Sequence, residues 1–266
     1  MDIGIGLPAT IPGIDGRTLT SWARRADERG FSSLGVIDRI VYPNYEPLLA
    51  LAAAAAMTER IKLATTVLLG PLRTNTALLA QEIATLDNLS RGRFVLGIAV
   101  GVREDDFEAS GASMKGRGAR LDAQLQELKR IWSGQGGRPD AAMGPPPARE
   151  GGPEILVGGH ADASMRRAAR FGDGWIMGGG TPDQFGEFAT KLDEAWPPKA
   201  ARASPARRRR LTSRSARTRA RTPTPTYATT TAGSPSTRTR SSPRSRWVTR
   251  WSGGTRRPTS SLDATS

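Results

Sequence analysis

Apolar residues in this chain fall into short runs, separated by longer stretches with helical spacing. Residues 94–100 (FVLGIAV) form an unbroken apolar run. It is too short for a buried helix and right for a strand covered on both faces. Residues 2–7, 33–37, 61–69, 154–157 and 174–177 read as strands in the same way. Between them, helices are predicted over 17–29, 46–58, 76–89, 117–132, 161–171 and 181–196. The first would bury Leu19, Trp22, Ala23 and Ala26, and Gly30 is placed to stop it. The third would bury Leu78, Leu79, Ile83 and Leu86; the fourth, Leu121, Leu125, Leu128 and Ile131. Trp22, Trp132 and Trp175 are expected in the layer between helices and sheet. Residues 133–153, rich in Gly and Pro, read as a loop or small excursion. Strands that alternate with helices in this way imply a parallel sheet, either an open doubly wound sheet or a (β/α) barrel.

The carboxyl ends of the strands carry the candidate chemistry. After residues 94–100 come Gly101, Arg103, Glu104, Asp105 and Asp106. Folds of this class bind ligands at the carboxyl ends of their strands, and glycine lets a flat ligand approach the backbone. Asp38 and Arg39 follow the second strand. Asp38 is either a functional rim carboxylate or one half of an ion pair with Arg39 or Arg73. Glu104, Asp105 and Asp106 could suggest a metal or an acid/base pair, but acids in series at a helix start more often serve capping and solvation. Gly158-Gly159-His160 precedes a helix whose free N–H groups could hold a phosphate. Standing alone, such a turn is most often a tight connection. His160, the only histidine, reads as a surface or capping residue, or a hydrogen-bond donor to phosphate, before a catalyst. The early GIGLPATIPG stretch is discounted as a nucleotide loop, because its third glycine is misplaced and no helix starts there.

Composition narrows the classes. A chain of 266 residues allows one barrel or two smaller domains. It has no cysteine, so disulfides and thiolate metal sites are excluded. With one histidine, zinc is not expected either, and no metal is assigned. The start, MDIGIGLP, has no signal-peptide character. The most apolar run, residues 48–57, is well short of the ~18 residues that mark a membrane span. A soluble cytoplasmic protein is expected.

Net charge is +14, but residues 197–266 hold 16 Arg and one Lys against the single acid Asp263, so the first 196 residues carry −2. The basic character belongs to the tail. From Pro197 onward Arg, Ser, Thr, Pro, Ala and Gly dominate, and the only branched aliphatic residues are Leu211, Val248 and Leu262. Such a segment buries too little apolar surface to offset its chain entropy, so it is expected to be disordered or poorly packed. Arg207 to Arg210 could bind nucleic acid through phosphates, but a disordered segment without function is preferred.

Taken together, RIKLATTVLLGPLRTNTALLAQ, LDNLSRGRFVLGIAVGVREDDFEASG and EILVGGHADASMRRAARFGDGWI resemble the bacterial luciferase-like monooxygenase family over residues 1–196. More narrowly they are similar to its short single-chain oxidoreductases that use FMN or coenzyme F420. The resemblance implies a (β/α)8 TIM-type barrel with the cofactor ring at the carboxyl mouth, here incomplete, with about six βα units followed by an aberrant tail. It implies that Asp38 and Arg39 orient substrate or ring. It places Thr65, Thr66 and Val67 against the ring, with a non-proline cis peptide at Thr66–Val67. Ala99, Val100 and Gly101 would line the ring or ribityl chain. Gly158, Gly159, His160, Ala161 and Ser164 would hold the phosphate, with Gly178 and Gly179 beside the ring or tail. An arginine that clamps FMN phosphate in luciferases is Val100 here, and no histidine follows Asp38 as in the family's sugar-phosphate dehydrogenases.

The expected activity is therefore a flavin- or deazaflavin-dependent oxidoreductase or monooxygenase acting on a small organic substrate, with homodimerisation left open and neither membrane nor nucleic acid as partner. The alternatives are an inactive, incomplete barrel and nucleic-acid binding through the tail. Out-of-frame reading of GC-rich DNA near Pro197 would account for the tail's composition. Translation of the other two frames after codon 197 is then expected to restore strand and helix patterns.

Overall fold

In the computed structural model, residues 2–138, 141–196 and 248–250 are described. The chain begins with β1 (Gly4–Gly6), α1 (Gly16–Glu28), β2 (Ser33–Val36), α2 (Pro47–Ala56), β3 (Lys62–Thr65) and β4 (Leu68–Leu69). After a 3-10 turn over Gly70–Leu72 come α3 (Thr76–Leu89), β5 (Phe94–Ala99), α4 (Glu104–Ser110) and α5 (Arg117–Arg130). A wide helical turn, Ile131–Gln135, leads into the small pair β6 (Gly137–Arg138) and β7 (Ala141–Ala142). Then follow β8 (Glu154–Gly158), α6 (Asp162–Phe171), β9 (Gly174–Met177), α7 (Pro182–Ala195) and β10 (Val248–Arg250).

The helix starts show why the chain alternates. Asp15, Glu46 and Asn75 each accept the N–H three residues on, from Thr18, Leu49 and Leu78. Thr181 and Gln184 form a reciprocal capping box at α7. Pro47 and Pro182 sit in the first turns of α2 and α7, where no intrahelical bond is lost. Gly30, with φ +84°, takes the left-handed position that stops α1.

The main sheet runs β1-β2-β3-β5-β8-β9-β10, every pair parallel, with β4 added beside β5. This is the α/β barrel-type sheet, built of six βα units. Alternation divides it into two faces. Leu63, Phe94, Leu96, Ile98, Ile155, Val157, Trp175 and Met177 join the helices in one large core. Ala64, Val95, Leu156 and Ile176 form a separate buried cluster on the other face, with Val67 against it. Leu121, Leu125, Leu128 and Ile131 are all buried, as their spacing predicts.

Several expectations change. The predicted strand over 61–69 is two strands, Lys62–Thr65 and Leu68–Leu69, with Thr66 and Val67 outside the ladder between them. Residues 133–153 contain the antiparallel β6–β7 pair. Glu104 to Asp106 begin a helix of their own, α4. Trp132 and Trp175 are buried, but Trp22 is 41% exposed, with its indole N–H donating to the Gly6 carbonyl. Leu78 lies on the outer side of α3 and is half exposed. No strand was expected after Trp196, yet Val248–Arg250 pairs with Trp175–Met177. The rest of residues 197–266, with Arg207 to Arg210 and the expected disorder, lies outside the described residues. No described helix is long and apolar enough to cross a membrane.

Candidate functional site

Parallel strands bring all their carboxyl ends to one rim. Asp38 and Arg39 follow β2, Thr66 and Val67 follow β3, and Val100 and Gly101 follow β5. Gly158 ends β8, with Gly159, His160 and Ala161 beyond it, and Gly178 and Gly179 follow β9. Direct contacts join several of these residues. Thr65 Oγ1 donates to the Gly97 carbonyl at 2.7 Å, and the Thr66 N–H to the Val36 carbonyl at 2.6 Å. A methyl group placed on Gly158 would stand 3.0 Å from Val67 Cγ1 and 3.2 Å from Ala99 Cβ. Val67, Ala99 and Gly158 therefore meet as a small apolar cradle on the inner face. The Thr66–Val67 peptide is cis. Gly178 is exposed and faces open space, with no atom within 4 Å of where its Cβ would be. Val100, unlike its neighbour Ala99, packs against the helix-side core.

Asp38 is buried at 5% exposure. Its carboxylate accepts the Leu69 N–H at 2.9 Å and pairs with Arg73 at 3.3 Å, while Arg73 also reaches Glu46 at 2.8 Å. Of the two ion pairs open to Asp38 in the sequence, the one with Arg73 forms. Burial pushes the Asp38 carboxyl above the usual carboxylate value, against the pull of Arg73 and the Leu69 N–H. In the folded chain Asp38 thus keeps its proton at a pH where the unfolded chain has lost it. Its ionisation costs stability as pH rises above about 4. Asp38→Asn is expected to flatten that part of the curve of urea midpoint against pH. An unchanged slope would assign it to another group.

Arg39 is held elsewhere. Its Nε donates to Asp106 at 2.6 Å, and its NH2 group reaches Asp105 at 3.4 Å. The second Asp106 oxygen accepts the N–H groups of Ile40 and Val41 at 2.9 and 2.8 Å. Burial opposes ionisation of Asp106, but these N–H groups and Arg39 hold its carboxyl below the usual range. Asp106 thus ties the loop after β2 to α4. Ile40, Val41 and Tyr42 at the tip of that loop are all more than 40% exposed. Sequence reasoning treated Asp106 as one of three solvated acids. The available signal was Phe107 beside it, which is fully buried and packs against Gly101.

At the start of α6 the N-cap is Ala161, which has no side chain to accept from the first turn. Gly159 has φ +131°, and a Cβ there would fall 2.4 Å from Ser164 Oγ, so Ser164 closes tightly on this turn. Ser164 is buried, while His160 and Ala161 are exposed. The His160 ring does not turn into the mouth. It stacks on Phe188 of α7, with ring centres 5.2 Å apart and planes within 11°. Among the described residues, no cluster of three or more His, Asp or Glu could hold a metal ion.

A parallel α/β sheet with glycines, an apolar cradle and an uncapped helix start at one rim is the arrangement of a barrel-type α/β protein. The chain belongs to the luciferase-like monooxygenase family, whose match extends over residues 1–239. It is 31% identical over 200 residues to an uncharacterised protein of Mycobacterium tuberculosis, covering 64% of this chain and 68% of that one. It is 30% identical over 218 residues to the F420-dependent glucose-6-phosphate dehydrogenase of Nocardia farcinica, covering 76% of this chain and 64% of the relative. Among solved structures it resembles a monooxygenase from Streptomyces bottropensis, with 29% identity and a TM-score of 0.63, over 73% of this chain and 65% of that one. It also shares its fold with the oxygenating constituent of 3,6-diketocamphane monooxygenase from Pseudomonas putida, solved in complex with FMN. There the identity is 24% and the TM-score 0.59, over 74% of this chain and 64% of the other. The chain thus spans about two thirds of the length of each of these four proteins.

Proposed function

We propose that this chain is an oxidoreductase that holds the ring of FMN or coenzyme F420 in the rim cup and acts on a small organic substrate. Thr65, Thr66, Val67, Ala99 and Gly101 would flank the ring, with Gly178 and Gly179 beside it. Gly158, Gly159, His160, Ala161 and Ser164 would hold the phosphate through the N–H groups at the start of α6. When bound, such a cofactor supplies hydride transfer, or oxygen activation in the case of reduced FMN. The protein supplies orientation and a dry, apolar wall. Asp38 acts through the Leu69 N–H and Arg73, and Arg39 through the loop pinned by Asp106, so both shape the rim where substrate would enter. In this reading residues 1–196 are the working barrel, the tail is a separate segment, and the protein works in the cytoplasm on a small molecule, as a monomer or with a second copy.

The observation that carries the proposal is the meeting of Val67, Ala99 and Gly158. Two side chains, from Val67 and Ala99, close on the bare Cα of Gly158, so three separate strand ends meet in one apolar surface at the rim. Equilibrium titration of the full chain with FMN and with F420, followed by cofactor fluorescence, tests it. Saturable binding of one of the two is expected. Binding of neither returns the chain to the alternative of an incomplete barrel without activity.

A further inference from the structure

Trp175 lies on β9, and its side chain is fully buried on the helix side of the sheet, beside Phe185 and Phe188. Nothing about core packing requires its indole N–H to leave the core. Yet that group donates to the Gly159 carbonyl at 2.7 Å. Gly159 is the residue at φ +131° that no other amino acid adopts readily. The Gly159 carbonyl is thereby drawn toward the helix layer. The Gly159–His160 peptide is not among the cis bonds. In a trans peptide the carbonyl and the following N–H point in opposite directions. The His160 N–H is therefore turned away from the helix layer, toward the mouth.

Two neighbours act in the same sense. Phe188, which packs on Trp175 with ring centres 5.9 Å apart, also carries the stacked His160 ring. The imidazole is thus held against α7. Ser164 closes on Gly159 from within α6. Asp162, in the first turn of α6, adds negative charge there. Affinity for an anion at this turn therefore rests on the aim of the N–H groups more than on net charge.

We infer that Trp175 is a positioning residue for the phosphate end of the cofactor: it aims the Gly159–His160 peptide, and Phe188 withdraws the imidazole that would otherwise compete for the space. This rests on the cofactor reading above. It also alters the expected part of His160, which would serve through its backbone N–H and not its ring.

The test compares cofactors with and without their phosphate. FMN is set against riboflavin, and F420 against its tailless deazaflavin chromophore, for the wild-type full chain and for Trp175→Phe. The variant keeps an aromatic ring against Phe185 and Phe188 but has no N–H to donate. The wild-type chain is expected to favour the phosphorylated member of the pair it binds. Trp175→Phe is expected to weaken that member five- to tenfold, about what one oriented hydrogen bond is worth, and to leave the other within twofold. A wild-type preference that survives unchanged in the variant overturns the inference alone. An equal loss for both members also overturns it, since the indole would then serve packing only. No wild-type preference at all sinks the phosphate reading and the inference with it. A measurement on the unaltered chain guards against a variant that does not fold. In a 15N-labelled sample titrated with inorganic phosphate, the His160 amide is expected to shift while the Trp175 indole N–H stays protected from exchange. A stationary His160 amide counts against the inference.

Discussion

Gly97→Ala is expected to lower the thermal midpoint of this protein by on the order of 10 °C and to abolish cofactor binding. Gly97 lies inside β5, where a strand gains nothing from glycine's freedom. What it supplies is room. A Cβ at this position would stand 2.0 Å from the Thr65 carbonyl oxygen and 2.7 Å from Ile176 Cδ1. The isoleucine side chain can turn aside, but the carbonyl belongs to backbone that leads directly into Thr66 and Val67. Forcing atoms into a packed site costs about 1–3 kcal/mol, and a backbone obstacle belongs at the upper end. For a chain of this size each kcal/mol moves the midpoint by roughly 2–4 °C. The displaced segment carries Val67, one wall of the cradle, so the cup is lost along with the stability. Gly178→Ala is the matched control. Its Cβ meets no atom within 4 Å, and its thermal midpoint is expected to stay within about 2 °C of wild type. Equal midpoints for the two variants would show that the close approach of β3 to β5 is not what Gly97 provides.

Much of this could be read from the chain because periodicity reports burial. The run at residues 94–100 had to be a strand covered on both faces, and β5 is buried at every position. The leucines of α5 announced their face by spacing alone. Rim residues were found for a topological reason: once the strands are parallel, every residue just after a strand lies at the same end. What could not be read was direction. Val100 and Ala99 are neighbours in sequence, and only the pleat decides which of them sees the cup. Trp22 and Trp175 look alike in an apolar pattern. One lies at the exposed edge of its helix face with its indole tied to a strand carbonyl, and the other is sealed under α7. Long-range polar pairs were least legible, since 67 residues separate Arg39 from Asp106. Within the Glu-Asp-Asp series the acids look alike, and only the apolar Phe107 next door marks which of them is buried.

That hidden pair is where the second large effect is expected. Asp106→Ala should cost about 3 kcal/mol at neutral pH, measured as a fall in the urea midpoint. The Asp106 side chain is 1% exposed, that of Arg39 19%. Removing the acid leaves a largely buried guanidinium without its main partner, the situation in which breaking an ion pair costs about 3–5 kcal/mol. It also leaves the N–H groups of Ile40 and Val41 without an acceptor. Asp105, at 3.4 Å from Arg39, can take up part of the charge, which places the expected loss at the lower end. The pH dependence has a definite sign. Because the folded chain holds the Asp106 carboxyl below its ordinary value, its contribution is fully present above about pH 4 and disappears as pH falls through the lower folded value. Wild type and variant should therefore converge in acid and separate as the unfolded carboxylate ionises. This slope is opposite to that of Asp38, so the two rim acids, one held charged and one pushed toward neutrality, can be told apart in the same titration. Asp106→Asn keeps an oxygen that can accept both N–H groups, but it loses the charge and sets an amide NH2 against the Arg39 Nε. It is expected to fall between wild type and the alanine variant at neutral pH and to show no slope from this position. If Asp106→Ala leaves the midpoint unchanged, the lip at Ile40, Val41 and Tyr42 is held by something other than this carboxylate.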